Sequence, residues 1–138
     1  MYNILQVIFE RNDCVIHIAV CDDDLRTTEF VEALILDTLN NFPEKIEISI
    51  FYSGKSFTKA IQNACPFDII FMDIEMEGID GIQAGHILRA DDNNDLVQLI
   101  YISSHEEYHI QLFDVQPSGF IKKPIESLAF KNKLETAY

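Results

Sequence analysis

What is scarce in this sequence excludes several classes of protein. Positive charge is scarce: ten Lys and Arg stand against 23 Asp and Glu, a net charge of -13 over 138 residues. Nucleic-acid binding leans on Lys and Arg to meet phosphates, so a surface of this sign repels DNA and RNA at long range. This chain alone is therefore not a nucleic-acid binder. Cysteine is scarce and odd in number: Cys14, Cys21 and Cys65, with no CxxC spacing. That usage fits free thiols in a reducing cytosol rather than a disulfide framework. Long apolar runs are missing too, since none approaches the ~20 residues that a membrane helix needs. The N-terminus carries no basic segment ahead of its apolar residues, as a signal peptide would. No internal repeat and no low-complexity tract occurs. These absences together lead us to expect a cytoplasmic chain with no membrane association.

What is present is the composition of a folded domain, 48% apolar and 24% charged, which argues against disorder. The length fits one domain with a real core. The most informative stretch runs from Phe67 to Gly81. Its first part, Asp68-Ile69-Ile70-Phe71-Met72, is almost wholly apolar and ends abruptly at Asp73, where turn residues take over. A short Ile- and Phe-rich run of this kind reads as a strand buried on both faces, as parallel sheets demand. Asp73 then stands at the strand's carboxyl end, the edge where open parallel sheets bind ligands.

The rest of the chain repeats the alternation. Ile16 to Cys21 reads as a strand, closed by Asp22-Asp23-Asp24. Acidic residues sit well at a helix N-terminus, and a helix is expected from about Leu25 to Leu39, with Phe30, Ala33, Leu34 and Leu36 on or near its apolar face. Ile46 to Phe51 is a second strand. A second helix follows the Ser53-Gly54 turn, with Phe57, Ala60 and Ile61 as its stripe. A third, from about Asp80 to Ala90, carries Ile82, Ile87 and Leu88, and Asp91 to Asp95 is a solvated loop. Leu96 to Ile102 is a strand, His105 to Phe113 a short fourth helix, and Gly119 to Ile121 the last strand. The final helix, from about Ile125, uses Leu128, Phe130 and Leu134. Residues 1–15 form an N-terminal extension whose pattern fits helix and strand about equally, and 16–138 form the domain. Five alternations of this kind predict a doubly wound α/β fold with right-handed crossovers and a five-stranded parallel sheet. A flavodoxin-like strand order 2-1-3-4-5 would bring Asp22-Asp23 and Asp73 to one edge.

Four groups then end four strands on one side: Asp22-Asp23, Asp73, Ser103 and Lys123. Each has an ordinary use taken singly, as a helix cap, a turn residue or a surface charge. Jointly they fit one chemistry. Three converging carboxylates need a cation, and Mg²⁺ takes oxygen ligands from one or two carboxylates, phosphate and water. Phosphoryl transfer asks for alignment and charge stabilisation more than acid–base work. Lys123 supplies a positive charge for a phosphoryl oxygen and the Ser103 hydroxyl a hydrogen bond. Glu75 can offer its backbone carbonyl to the metal.

The motifs Ile18-Ala19-Val20-Cys21-Asp22-Asp23-Asp24, Phe71-Met72-Asp73-Ile74-Glu75-Met76, Asp80-Gly81, Ile102-Ser103-Ser104 and Phe120-Ile121-Lys122-Lys123-Pro124 stand in one order and spacing. In them the sequence resembles the receiver domain of two-component response regulators, with the CheY-like fold. The central loop and Ser104-His105-Glu106-Glu107-Tyr108 look most like receivers that precede a LytTR-type (LytR/AlgR/AgrA-like) DNA-binding domain. The resemblance implies that Asp73 is the phosphoacceptor, with Mg²⁺ held by Asp22, Asp23, Asp73 and the Glu75 carbonyl. It also implies that Ser103 and Phe120 are the switch pair, that Lys123 binds the phosphoryl group, and that the bond before Pro124 is a candidate cis peptide. The implied partners are a sensor histidine kinase and a second receiver, docking through the face of the fourth helix, last strand and last helix. DNA would be reached only through an output domain. Catalysis would extend no further than the chain's own aspartyl phosphorylation and dephosphorylation. Three residues depart from the family pattern: Glu77 replaces a common Pro, Phe120 a commoner Tyr, and Ser103 a Thr.

Two rival readings remain open on the sequence. One is an interaction module that keeps the fold without phosphate signalling. The other is a small Mg²⁺-dependent hydrolase with an aspartate nucleophile. His105 and His109 form an i, i+4 pair that could bind metal, although solvated surface positions are the commoner use of such a pair.

Overall fold

The computed structural model describes residues 15–105 and 111–137. Residues 1–14 of the N-terminal extension, His109 and most of the helix expected between His105 and Phe113 lie outside them. The elements run β1 (Val15–Cys21), α1 (Leu25–Thr38), β2 (Lys45–Phe51), α2 (Gly54–Ala60), β3 (Ile69–Asp73), α3 (Gly81–Arg89), β4 (Gln98–Ser103), β5 (Gly119–Lys122) and α4 (Ser127–Ala137). The five strands form one parallel sheet in the order β2-β1-β3-β4-β5. Among the described residues the strand order and the four helices match the expectation, and β1 begins one residue before the expected domain start.

The inner strands β1, β3 and β4 send their side chains alternately into two cores, which is why they are mostly apolar, whereas the edge strand β2 alternates apolar with exposed residues. Ile16, Ile18 and Val20 of β1, Ile69 and Phe71 of β3 and Ile100 and Ile102 of β4 join Val31 and Ile35 of α1 and Phe130 and Leu134 of α4 on one face. The Phe71 and Phe130 rings stack there, 4.8 Å between centroids. Ala19, Cys21, Ile70, Met72, Leu99 and Tyr101 join Phe57, Ala84 and Leu88 on the other, beneath α2 and α3.

Several helix faces differ from the expectation. On α1 the buried residues are Thr28, Val31 and Ile35, while Phe30 and Leu36 are 45% and 50% exposed and Ala33 is exposed. Apolar residues lie all round this helix, so position relative to α4 and the sheet decides which are covered. On α4 Leu128 is 70% exposed, with Phe130 and Leu134 buried as expected. On α3 Ile87 is exposed, and Gly81, Ala84, Gly85 and Leu88 make the contact. Ala60 of α2 is exposed as well. The Asp91–Asp95 loop contains a short 3-10 turn, Asp92–Asn94, whose Asn94 is buried and donates from Nδ2 to the Leu88 carbonyl at 2.9 Å. Phe113–Val115 is another such turn.

Candidate functional site at the carboxyl edge of the sheet

Strand register builds the site. Cys21 of β1 is level with Met72 of β3, so the next residues, Asp22 and Asp73, end their strands side by side. Asp73 is level with Ile102 of β4, and Ser103 with Lys122 of β5. The chain therefore delivers Asp22, Asp73, Ser103 and Lys123 to one edge, one from each of four adjacent strand ends.

The helix after β1 is capped by Asp24, whose carboxylate accepts from Arg26 N at 3.2 Å and Thr27 Oγ1 at 2.9 Å. These bonds, that to Thr27 first, hold its carboxyl below the usual range. Capping by the third aspartate leaves the first two for the site. Asp22 is buried; its N–H donates to the Phe51 carbonyl at 3.0 Å, and its Oδ1 accepts from Asp24 N at 2.9 Å. Asp23 is exposed at the mouth. One carboxylate oxygen each from Asp22, Asp23 and Asp73 lies within 4.8 Å of the others.

Lys123 closes the site. Its Nζ lies 3.0 Å from Asp22 Oδ2 and 3.3 Å from Asp73 Oδ1. Burial alone would lower the lysine's pKa, but the hydrogen bond it donates to Asp22 and the charges of both carboxylates hold it above its ordinary value. The Lys123–Pro124 peptide bond is cis. Asp73, 5% exposed, is pushed up to about 6, first by burial and then by the Asp22 charge, against the pull of Lys123. So much negative charge meeting a single ammonium is under-compensated, which is the electrostatic condition for a cation site. The donors are hard oxygens. The nearby Cys21 thiol, pushed up to about 12 chiefly by burial, is turned to the Ser53 carbonyl at 3.6 Å and Met76 Sδ at 3.7 Å and is not among the clustered ligand atoms. The set therefore suits Mg²⁺ rather than a thiophilic metal.

Ser103 is buried at the end of β4, and its Oγ accepts from His105 N at 3.1 Å. Phe120 is half-buried on β5, packed against the α2–α3 core. Glu75 is exposed two residues beyond β3, and its Oε1 lies 3.0 Å from His105 Nε2. That last contact was not read from the sequence. The available signal was the equal offset: Glu75 follows Asp73 by two and His105 follows Ser103 by two, at the ends of neighbouring strands.

The parallel α/β sheet thus gathers three carboxylates at its carboxyl edge, two of them bridged by one lysine, an arrangement suited to holding a cation and an anionic group. The chain belongs to the response regulator receiver domain family, whose sequence profile matches residues 18–135. It is a receiver domain of two-component signalling and is similar in sequence to LytTR-type regulators. The sensory transduction protein LytT of Oceanobacillus iheyensis is 31% identical over 64 residues, 46% of this chain and 26% of that protein. The match thus spans about a quarter of the relative's length. Among solved structures, the response regulatory domain of mrkE from Klebsiella pneumoniae superposes with a TM-score of 0.76 at 20% identity, covering 88% of this chain and 94% of that one. The receiver domain of the sensor histidine kinase PA1611 from Pseudomonas aeruginosa, with magnesium coordinated in its active-site cleft, gives 0.73 at 18% identity, covering 88% and 95%. No described helix is long and apolar enough to cross a membrane.

Proposed function

We propose that Asp73 accepts a phosphoryl group from the phosphohistidine of a sensor histidine kinase, and that this domain is the cytoplasmic input half of a LytTR-type transcription regulator. The observation that carries the reading is Lys123 Nζ bridging Asp22 and Asp73 beside the three-carboxylate cluster. Asp22, Asp23, Asp73 and the Glu75 carbonyl would hold Mg²⁺. The ion supplies charge neutralisation and oriented oxygen coordination when bound, and PA1611's magnesium-bearing cleft supports that assignment.

Each residue then has a definite task. An Asp73 carboxylate oxygen attacks phosphorus as the bond to the donor's imidazole nitrogen breaks, and the electron pair leaves with the imidazole. Lys123 lies on Asp73 and is placed to take charge from a phosphoryl oxygen. Ser103 accepts from His105 N and so keeps its own proton to donate to a second oxygen. As Ser103 turns toward the new group, Phe120 fills the space behind it. Lacking a hydroxyl, Phe120 moves for packing alone. The face made by the segment after β4, β5 and α4 is thereby biased toward its partner or a second receiver. Catalysis stays confined to the domain's own aspartyl phosphate, which water hydrolyses.

The test is reaction of the chain with acetyl phosphate and Mg²⁺, followed by intact mass. One hydroxylamine-labile phosphoryl adduct is expected, absent with EDTA and absent in Asp73→Asn. An adduct that persists at this site in Asp73→Asn overturns the assignment.

A further inference from the structure

The sequence set His105 aside as half of a candidate metal pair with His109, yet the structure gives its ring a carboxylate partner on the neighbouring loop. We propose that His105 is a positioning residue for Mg²⁺: by holding the Glu75 carboxylate, it fixes the loop that presents the Glu75 carbonyl. This rests on the phosphoacceptor reading above and deepens it.

The case begins with what holds each piece. Ile74, one residue past β3, is fixed by burial and by its carbonyl accepting from Gly81 N at 2.8 Å. Glu75 comes next and is exposed, with no regular structure around it. A carbonyl ligand there is no better placed than its loop. The firm body nearby is the end of β4. Ser103 is 2% exposed, its carbonyl accepts from Lys123 N at 2.9 Å, and its Oγ accepts from His105 N at 3.1 Å. The backbone of His105 is thus tied to a buried strand end, while its Nε2 reaches Glu75 Oε1 at 3.0 Å. The connection runs from β5 through Ser103 and His105 to Glu75. It has a second consequence. A fourth carboxylate turned toward Asp22, Asp23 and Asp73 would add repulsion to a crowded cluster, and the imidazole keeps it outside. Partners that orient a metal ligand from behind typically change affinity by about 10–100-fold when removed.

The test is calorimetric titration of Mg²⁺ into the full chain, with melting temperature in EDTA reporting the fold. His105→Ala and Glu75→Ala should each weaken Mg²⁺ binding about tenfold, and the double variant should be no weaker than either single one. His105→Gln, whose side-chain amide can still donate, and Glu75→Gln, which can still accept, should stay within a few-fold of wild type. Glu75→Ala carries the same test from the other side of the pair if His105→Ala does not fold. Wild-type affinity in His105→Ala, or single effects that multiply in the double variant, overturns the inference alone. A wild-type chain that binds no Mg²⁺ overturns the underlying reading, and the inference with it.

Discussion

Asp73 is where the fold and the proposed function conflict. Burial and then Asp22 push its pKa up to about 6, whereas an unfolded aspartate titrates near 4. Between those values the folded chain binds a proton that the unfolded chain does not. The metal-free protein therefore loses stability as pH rises through that window, by up to about 3 kcal/mol for this one group. Asp73→Asn removes the charge at little change in shape. In EDTA at pH 7.5 it should be more stable than wild type by about 1–3 kcal/mol, and the gap should close toward pH 4. Urea melts at both pH values check this, and a less stable Asp73→Asn at pH 7.5 would refute it. Lys123 is the counterpart. Lys123→Met strands the buried carboxylates of Asp22 and Asp73 without their ammonium. It should cost about 2–4 kcal/mol at pH 7.5, and adding Asp73→Asn should recover part of that loss. Equal stability of wild type and Lys123→Met would show that the bridge contributes nothing to the fold.

At the level of elements, what the sequence displayed was the strand ends, because each apolar run stops at a charged or hydroxyl residue: Asp22, Asp73, Ser103 and the Lys122-Lys123 pair. Buried parallel strands leave that trace. Helix faces left a weaker one. On α1, Thr28 is buried, with its hydroxyl satisfied by the Leu25 carbonyl at 2.8 Å, while Phe30 and Leu36 face solvent. No count of hydrophobicity anticipates a polar residue facing inward once its own backbone satisfies it. Contacts between distant loops left none. Arg89 donates to the carbonyls of Asn94, Val97, Val115 and Gln116, joining the approaches to β4 and β5. The α3–β4 contact is of this tertiary kind and can be tested. Gly85 stands where an added Cβ would fall 2.1 Å from the Tyr101 hydroxyl and 2.7 Å from Val115 Cγ1. That hydroxyl is buried and donates to the Gly81 carbonyl at 2.9 Å, so it cannot move aside freely. Gly85→Ala, which elsewhere in a helix would stabilise, should here cost about 1–3 kcal/mol. Tyr101→Phe should relieve part of that cost in the double variant. Thermal melts of the four proteins form the cycle, and strict additivity would show that the hydroxyl is not the obstacle.

Across the whole molecule, two electrostatic effects of different range act on one stability. A net charge of -13 makes the compact state repel itself, and any salt screens that repulsion. The site adds a local demand that Lys123 meets only in part and a coordinating cation would meet further, since Asp22, Asp23 and Asp73 present their oxygens within 4.8 Å of one another. Sodium and magnesium should therefore separate. Raising NaCl should lift the melting temperature of every variant by a similar amount. Mg²⁺ at matched ionic strength should lift the wild type further, since a ligand at 100 times its Kd adds about 2.7 kcal/mol to the folded state. In Asp73→Asn and Asp22→Asn the extra lift should shrink or vanish while the sodium response stays. If Mg²⁺ and Na⁺ act alike on the wild type at equal ionic strength, the acidic edge is only part of a charged surface. An excess confined to the chain with its aspartates intact places the cation at the end of β1 and β3, beside the carboxylate proposed to accept the phosphoryl group.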